Sequence, residues 1–381
     1  MIIRILGAAA GGGFPQWNCN GRNSAAVRAG KPGFRARTQC SLAVSANETD
    51  WVLFNASPDL RQQINETPAL GARADGPLRN SPIKAVVLTG ADVDFIAGLL
   101  NLRELQPFSI YGSSRVLETL AANSIFNVLD ANVVARRTLG FGTPTPIEGG
   151  GRDTGLVVEA FPVPGKVALY LESTRADDNY GSREGDAIGL KVTATATGKH
   201  FFFVPGCAVV DAELAGRLKG APLVFFDGTL YTDDEMIRQG LMQKTGQRMG
   251  HMSISGPEGS IAAFAGLDVA RKIYVHINNS NPVLDEMLDR AHQIRDDGER
   301  AALYREASRI LVDDAPWAFI MSQSTFEAWQ PYVRGYRPHP VWSQHYRDIW
   351  LDLPRRRIAE VLLGPRVSAM ATAALGGEEG R

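Results

Sequence analysis

Short saturated runs of apolar and β-branched residues recur along this chain, and most of them stop abruptly at glycine, asparagine, aspartate or histidine. Runs at residues 2–6, 38–45, 51–55, 83–89, 108–111, 156–161, 187–195, 200–204, 223–226 and 271–275 predict strands buried in sheets. The polar stretch Asn47-Glu48-Thr49-Asp50 reads as the turn of a hairpin. Helices are expected over 115–129, near Phe95, near 255–257, and after Ser57-Pro58, with the serine as cap and the proline in the first turn. The run at 271–275 ends on His276 and the turn residues Asn278-Asn279. Open α/β sheets place their chemistry at such strand ends, and a buried histidine bonded to its own loop is the competing reading.

Composition narrows the function classes. With 381 residues and 44% apolar side chains, the chain has material for one large domain or two ordinary ones. Forty basic against forty-one acidic residues leave a net charge of −1, so neither nucleic acid nor an anionic membrane is implied as a partner. The first apolar run is too short for a signal peptide, and no later segment reaches the length of a membrane span. Three widely spaced cysteines, Cys19, Cys40 and Cys207, fit a reducing compartment, so the expected location is cytoplasmic.

The candidate chemistry sits where strands end. Gly11-Gly12-Gly13-Phe14-Pro15 lacks the G-x-G-x-x-G spacing of a dinucleotide loop, and instead lets backbone pass close beneath a site. Asp59 is either a first-turn carboxylate or a site residue. Asp92 and Asp94 follow the strand at 83–89, and either turn toward one cation or cap the next helix. Asp227 stands at the tip of a strand, and His251 arrives from a loop. Residues 172–185, rich in Asp, Ser, Arg and Gly, read as a disordered insert bordering a cleft. Asp92, Asp94, Asp227, His251 and His276 together form a ligand set for iron, manganese or zinc. The carboxylates favour iron(II) or manganese.

Several motifs carry a resemblance. Gly11 to Cys19, Arg37-Thr38-Gln39, Asn55-Ala56-Ser57-Pro58-Asp59-Leu60-Arg61, Asp227-Gly228-Thr229, Met249-Gly250-His251 and the stretch from Val275 to Pro282 resemble the coenzyme PQQ synthesis protein B family. The resemblance covers residues 1 to about 285. It implies a mixed α/β fold of the metallo-β-lactamase-like superfamily, a four-layer αββα sandwich. It further implies a part in pyrroloquinoline quinone synthesis, by iron- and O₂-dependent hydroxylation of the tyrosine ring of a Glu–Tyr-derived precursor alongside other PQQ-synthesis proteins. The alternative is a carrier of PQQ or its precursor toward the periplasm. On this resemblance Asp92, Asp94 and Asp227 are catalytic, all five residues above are metal ligands, and Asp59, Arg61, Asn278 and Asn279 bind substrate. Two departures stand out. Phe95 occupies the loop position where the family keeps a histidine, and Cys19 is followed by Gly21 and Ser24 where further zinc ligands would stand. A lone cysteine holds no structural zinc, so none is expected at Cys19.

Beyond Asp285 the material changes. Residues 299–353 resemble the C-terminal end of a periplasmic peptide- or solute-binding protein of an ABC transporter. The expected division is therefore a superfamily domain over 1–286, an appended fragment over 287–361, and a disordered Ala/Gly-rich tail over 362–381, the product either of a gene fusion or recombination or of a misassembled reading frame.

Overall fold

Alternate residues of the saturated runs turn to opposite faces of two sheets, and both faces are covered. The computed structural model describes residues 1–31, 34–172 and 184–281, with the backbone of 333–334 and 350–351 besides. In the first sheet, β1 (Ile2–Gly7), β2 (Ser41–Ser45), β3 (Trp51–Phe54), β4 (Ile83–Val87), β5 (Phe108–Gly112) and β6 (Val134–Thr138) lie side by side in chain order. The first two pairings are antiparallel and the next three parallel. The second sheet contains β7 (Thr145–Gly149), β8 (Arg152–Pro162), β9 (Ile188–Ala194), β10 (His200–Val204), β11 (Val224–Asp227) and β12 (Lys272–Val275), again in chain order. Its last two pairings are parallel and the others antiparallel.

Period-two alternation sorts the side chains. Leu42, Val44, Phe54 and Val87 of the first sheet meet Leu190, Val192, Phe201, Phe203, Phe225 and Val275 of the second in the central core. The residues between them face outward. Ala43, Leu53 and Val86 pack beneath Leu60 of α1 (Leu60–Glu66) and Val116 and Leu120 of α2 (Ser114–Ala122). Phe202, Val204, Val224, Phe226 and Tyr274 pack beneath Leu214 and Leu218 of α3 (Ala212–Leu218) and Phe264 of α4 (Ser260–Phe264). The result is the αββα sandwich, and it explains why central strands such as β2, β3 and β11 read as continuous apolar runs: they are buried on both faces.

Local departures from expectation have physical causes. Ser57 does not cap α1; its hydroxyl donates to Gln63 Oε1 at 3.1 Å, and the helix begins after Asp59. The helix expected over 115–129 stops at Ala122, where the Asn123 side chain bonds the Thr119 carbonyl and the backbone turns extended. A 3₁₀ turn over Ser124–Val128 follows. The helix expected near 255–257 begins at Ser260. β6 and β7 carry little apolar signal because they are edge strands, where Pro146 is tolerated.

The chain divides into two compact units, Met1–Ala318 and Phe319–Arg381. In the second, β13 (Val333–Arg334) pairs antiparallel with β14 (Trp350–Leu351). The boundary at 286/287, the rest of the solute-binding-like segment, the tail over 362–381 and most of the insert at 172–185 lie outside the described residues. Among the described residues, no helix is long and apolar enough to cross a membrane.

Candidate metal centre

Parallel register brings two strand ends level. β11 and β12 pair Asp227 with Val275, so the residue that follows β12, His276, emerges beside Asp227 and Thr229. His276 lies at φ 61°, a left-handed conformation uncommon for a side-chain-bearing residue. Neighbouring backbone fixes it there: Ile277 N donates to Ala8 O at 2.8 Å and Asn278 N to Thr229 O at 3.1 Å. His251 follows Gly250, whose φ of 86° closes a short 3₁₀ turn. Met252 N then anchors the loop on Cys207 O at 2.7 Å.

Asp227 is wholly buried and fully bonded. Its Oδ2 accepts from Cys207 N at 2.9 Å and lies 2.7 Å from His251 Nδ1; its Oδ1 accepts from Thr229 N at 3.0 Å and Thr229 Oγ1 at 2.6 Å. Both oxygens of Asp227 serve as acceptors here, so His251 donates to Oδ2 from Nδ1. The Thr229 hydroxyl also lies 2.7 Å from His276 Nδ1 and 3.1 Å from His251 Nδ1. His276 Nε2 meets Asp94 Oδ2 at 2.7 Å. The two imidazoles stack at 5.1 Å with 21° between planes.

Thr229 has one proton to give, and it goes to Asp227. His276 then donates from both nitrogens, to Thr229 and to Asp94. Burial pushes the His276 pKa down, but the Asp94 hydrogen bond and the charges of Asp94, Asp227 and Asp92 outweigh it, so the net shift is upward. For Asp94, burial pushes upward, and the bond and charge of His276 prevail, lowering it. Asp92 is raised, first by burial and then by repulsion from Asp94.

Asp227, His251 and His276 each offer a ligand atom, all within 4.8 Å of one another. Two imidazoles and one carboxylate are a donor set that holds non-haem iron or catalytic zinc while leaving positions open. The residues therefore fit a divalent ion, which would replace the protons now shared among them. Asp92 and Asp94 are not brought into this group. Both line the adjoining cleft of about 490 Å³, and Asp94 acts on His276.

Asn278 also lines that cleft, whereas Asp59, Arg61 and Asn279 do not. Asp59 Oδ2 instead accepts from Gln39 N at 2.8 Å and Gln39 Nε2 at 3.0 Å, Arg61 is exposed, and Asn279 braces the glycine loop through Gly13 O and Gln16 N. Cys19 Sγ accepts from Gly21 N at 3.4 Å. Thr229 was not singled out from the sequence, although Asp-Gly-Thr at a strand tip was the available signal. Lys166, Lys244, Met236, Met242 and Met249 in the cleft wall had no comparable signature.

A family model described as a beta-lactamase superfamily domain matches residues 50–277. Coenzyme PQQ synthesis protein B of Xanthomonas oryzae pv. oryzae is 51% identical over 285 residues, 75% of this chain and 92% of that protein. Its counterpart in Gluconacetobacter diazotrophicus is 52% identical over 281 residues, 74% of this chain and 90% of that one. The crystal structure of Zn(2+)-bound PqqB from Methylobacterium extorquens matches with a TM-score of 0.70 at 44% identity, covering 81% of this chain and 96% of that one. A diphosphatase of the PhnP family shares the fold, with a TM-score of 0.51 at 16% identity.

Proposed function

This chain belongs to the coenzyme PQQ synthesis protein B family, and from that premise we propose that it hydroxylates the tyrosine ring of a Glu–Tyr-derived PQQ precursor, using iron(II) and dioxygen. The observation that carries this reading is the convergence of Asp227, His251 and His276 within 4.8 Å beside an open cleft. When bound, iron(II) supplies the capacity to activate dioxygen next to a phenol. Zinc, present in the Methylobacterium relative, has no redox chemistry and would not supply that activation of dioxygen.

The chain's own residues do the rest. Asp94 orients His276, and Thr229 ties both imidazoles to the buried Asp227, so the donor atoms are held before an ion arrives. Met236, Met242 and Met249 offer the cleft a soft apolar wall suited to an aromatic ring. Asp92, raised by burial and by Asp94, is placed to carry a proton at the edge of the site. The reaction is assigned to the cytoplasm, with other PQQ-synthesis proteins supplying the precursor. No feature of the cleft favours the carrier alternative.

The test is to supply the iron-loaded full chain with the precursor under dioxygen and follow gas uptake and product mass together. Coupled oxygen consumption and a ring-hydroxylated product are expected. Precursor bound without either would contradict the proposal.

A further inference from the structure

The same cleft holds a feature unconnected with metal binding. Lys166 Nζ lies 3.1 Å from Glu172 Oε1, and Lys244 Nζ lies 2.5 Å from Glu172 Oε2. One carboxylate thus bridges two ammonium groups, one oxygen to each, and all three side chains line the cleft with His251 and His276. Among the described lining residues, these two lysines are the only Lys or Arg side chains. Their position is fixed close to the centre. A Cβ at Gly250, the residue before His251, would stand 2.9 Å from Lys166 Cγ, so the lysine stem lies directly against the histidine's loop.

We propose that Lys166 and Lys244 form a carboxylate-binding subsite of the cleft, and that Glu172 occupies it until a carboxylate-bearing substrate takes its place. The inference rests on reading the cleft as the substrate site, and it adds the class of group that anchors the substrate there.

Three considerations support it. An ammonium group has three donors, so each lysine keeps capacity beyond its bond to Glu172. The other acidic groups of the wall have bonds of their own: Asp186 is held by Arg115 at 2.6 Å, Asp94 by His276, and Asp92, which also feels the charge of Lys166, accepts from Leu169 N at 3.3 Å. Finally, an incoming carboxylate replaces the charge of Glu172 in kind, so the largely buried Lys166 ammonium is never left unpaired, and the incoming molecule gains its remaining contacts. Glu172 is held below the usual carboxylate range; burial opposes this, but the bonds from Lys244 and Lys166 prevail, so the group to be displaced is charged.

The two sides of the pair make opposite predictions. Titration calorimetry with the dipeptide glutamyl-tyrosine should show binding to the full-chain E172Q protein about tenfold tighter than to wild type, and binding to K166M and K244M about tenfold weaker. The dipeptide with both carboxyls converted to amides should bind all four proteins alike. A purely structural ion pair would give losses of the same sign from either partner, and thermal melts of each variant identify misfolding. Unchanged, weaker or undetectable dipeptide binding to E172Q would overturn the subsite, as would equal binding of the diamide to wild type. Iron content and oxygen uptake of the same proteins report separately on the hydroxylation proposal.

Discussion

The rings of Phe95 and His276 meet edge to face, 5.5 Å between centroids and 62° between planes. Residue 95 therefore stands beside the donor group, although its side chain has no lone pair to give. Replacing it with histidine places an imidazole against a candidate ligand without moving the backbone. The F95H protein should bind iron(II) or zinc on the order of tenfold more tightly than wild type, measured by competition with a chelating dye. Equal affinity would show that the loop takes no part in ion binding.

Thr229 bonds Asp227 and reaches both imidazoles. Valine at that position keeps the shape and removes the hydroxyl, so His251 is held by Asp227 alone and His276 by Asp94 alone. T229V should lose about 10- to 100-fold in metal affinity, and T229S should recover most of it. Nitrogen NMR of the two histidines provides an independent check, because the His276 Nδ1 signal should shift in T229V, where its hydroxyl partner is lost, and stay near the wild-type position in T229S.

Asn55 lies buried at φ 62° and joins the ends of two strands. Its Nδ2 donates to Thr89 Oγ1 at 2.9 Å, and its Oδ1 accepts from Thr89 N at 2.9 Å, just before the loop that carries Asp92 and Asp94. Alanine leaves buried polar groups unpaired and keeps the unfavourable dihedral. N55A should lose about 3 kcal/mol in urea unfolding. A loss under about 1 kcal/mol would mean that the loop is held by other contacts.

Glu172 gives a pH prediction. Its folded pKa lies below the free value because the bonds of Lys244 and Lys166 overcome burial. A depressed carboxylate contributes stability that is present above the unfolded pKa, near 4.3, and lost as pH falls through the folded value. The difference in melting temperature between wild type and E172Q should therefore be constant above about pH 5.5 and shrink toward zero in acid. A difference that grows in acid would reverse the assignment.

The sheets were legible because residues such as 201–204 and 223–226 are apolar at every position, the signature of strands covered on both faces. β6 and β7 were not legible, since edge strands such as Thr145–Gly149 need no such run. In the site, the placement of Asp227, His251 and His276 at strand ends and loops could be read directly, and the structure gathers them. Separating the roles of Asp94 and Asp92 from that trio depends on side-chain direction, which spacing does not encode. The bracing roles of Asp59 and Asn279 depend on contacts with Gln39 and Gly13, far away in sequence. Lys166 and Glu172 share the connection between β8 and β9, but Lys244 is far away in sequence and joins them only in the folded chain.

The central claim is that Asp227, His251 and His276 hold one ion. An anaerobic iron(II) titration of the full chain, with the matching H276A and H251A variants, tests it most directly. The account predicts about one iron per wild-type chain and at least a hundredfold weaker binding in either variant, with melting curves showing that both remain folded. Stoichiometric binding of undiminished affinity in H276A would contradict it.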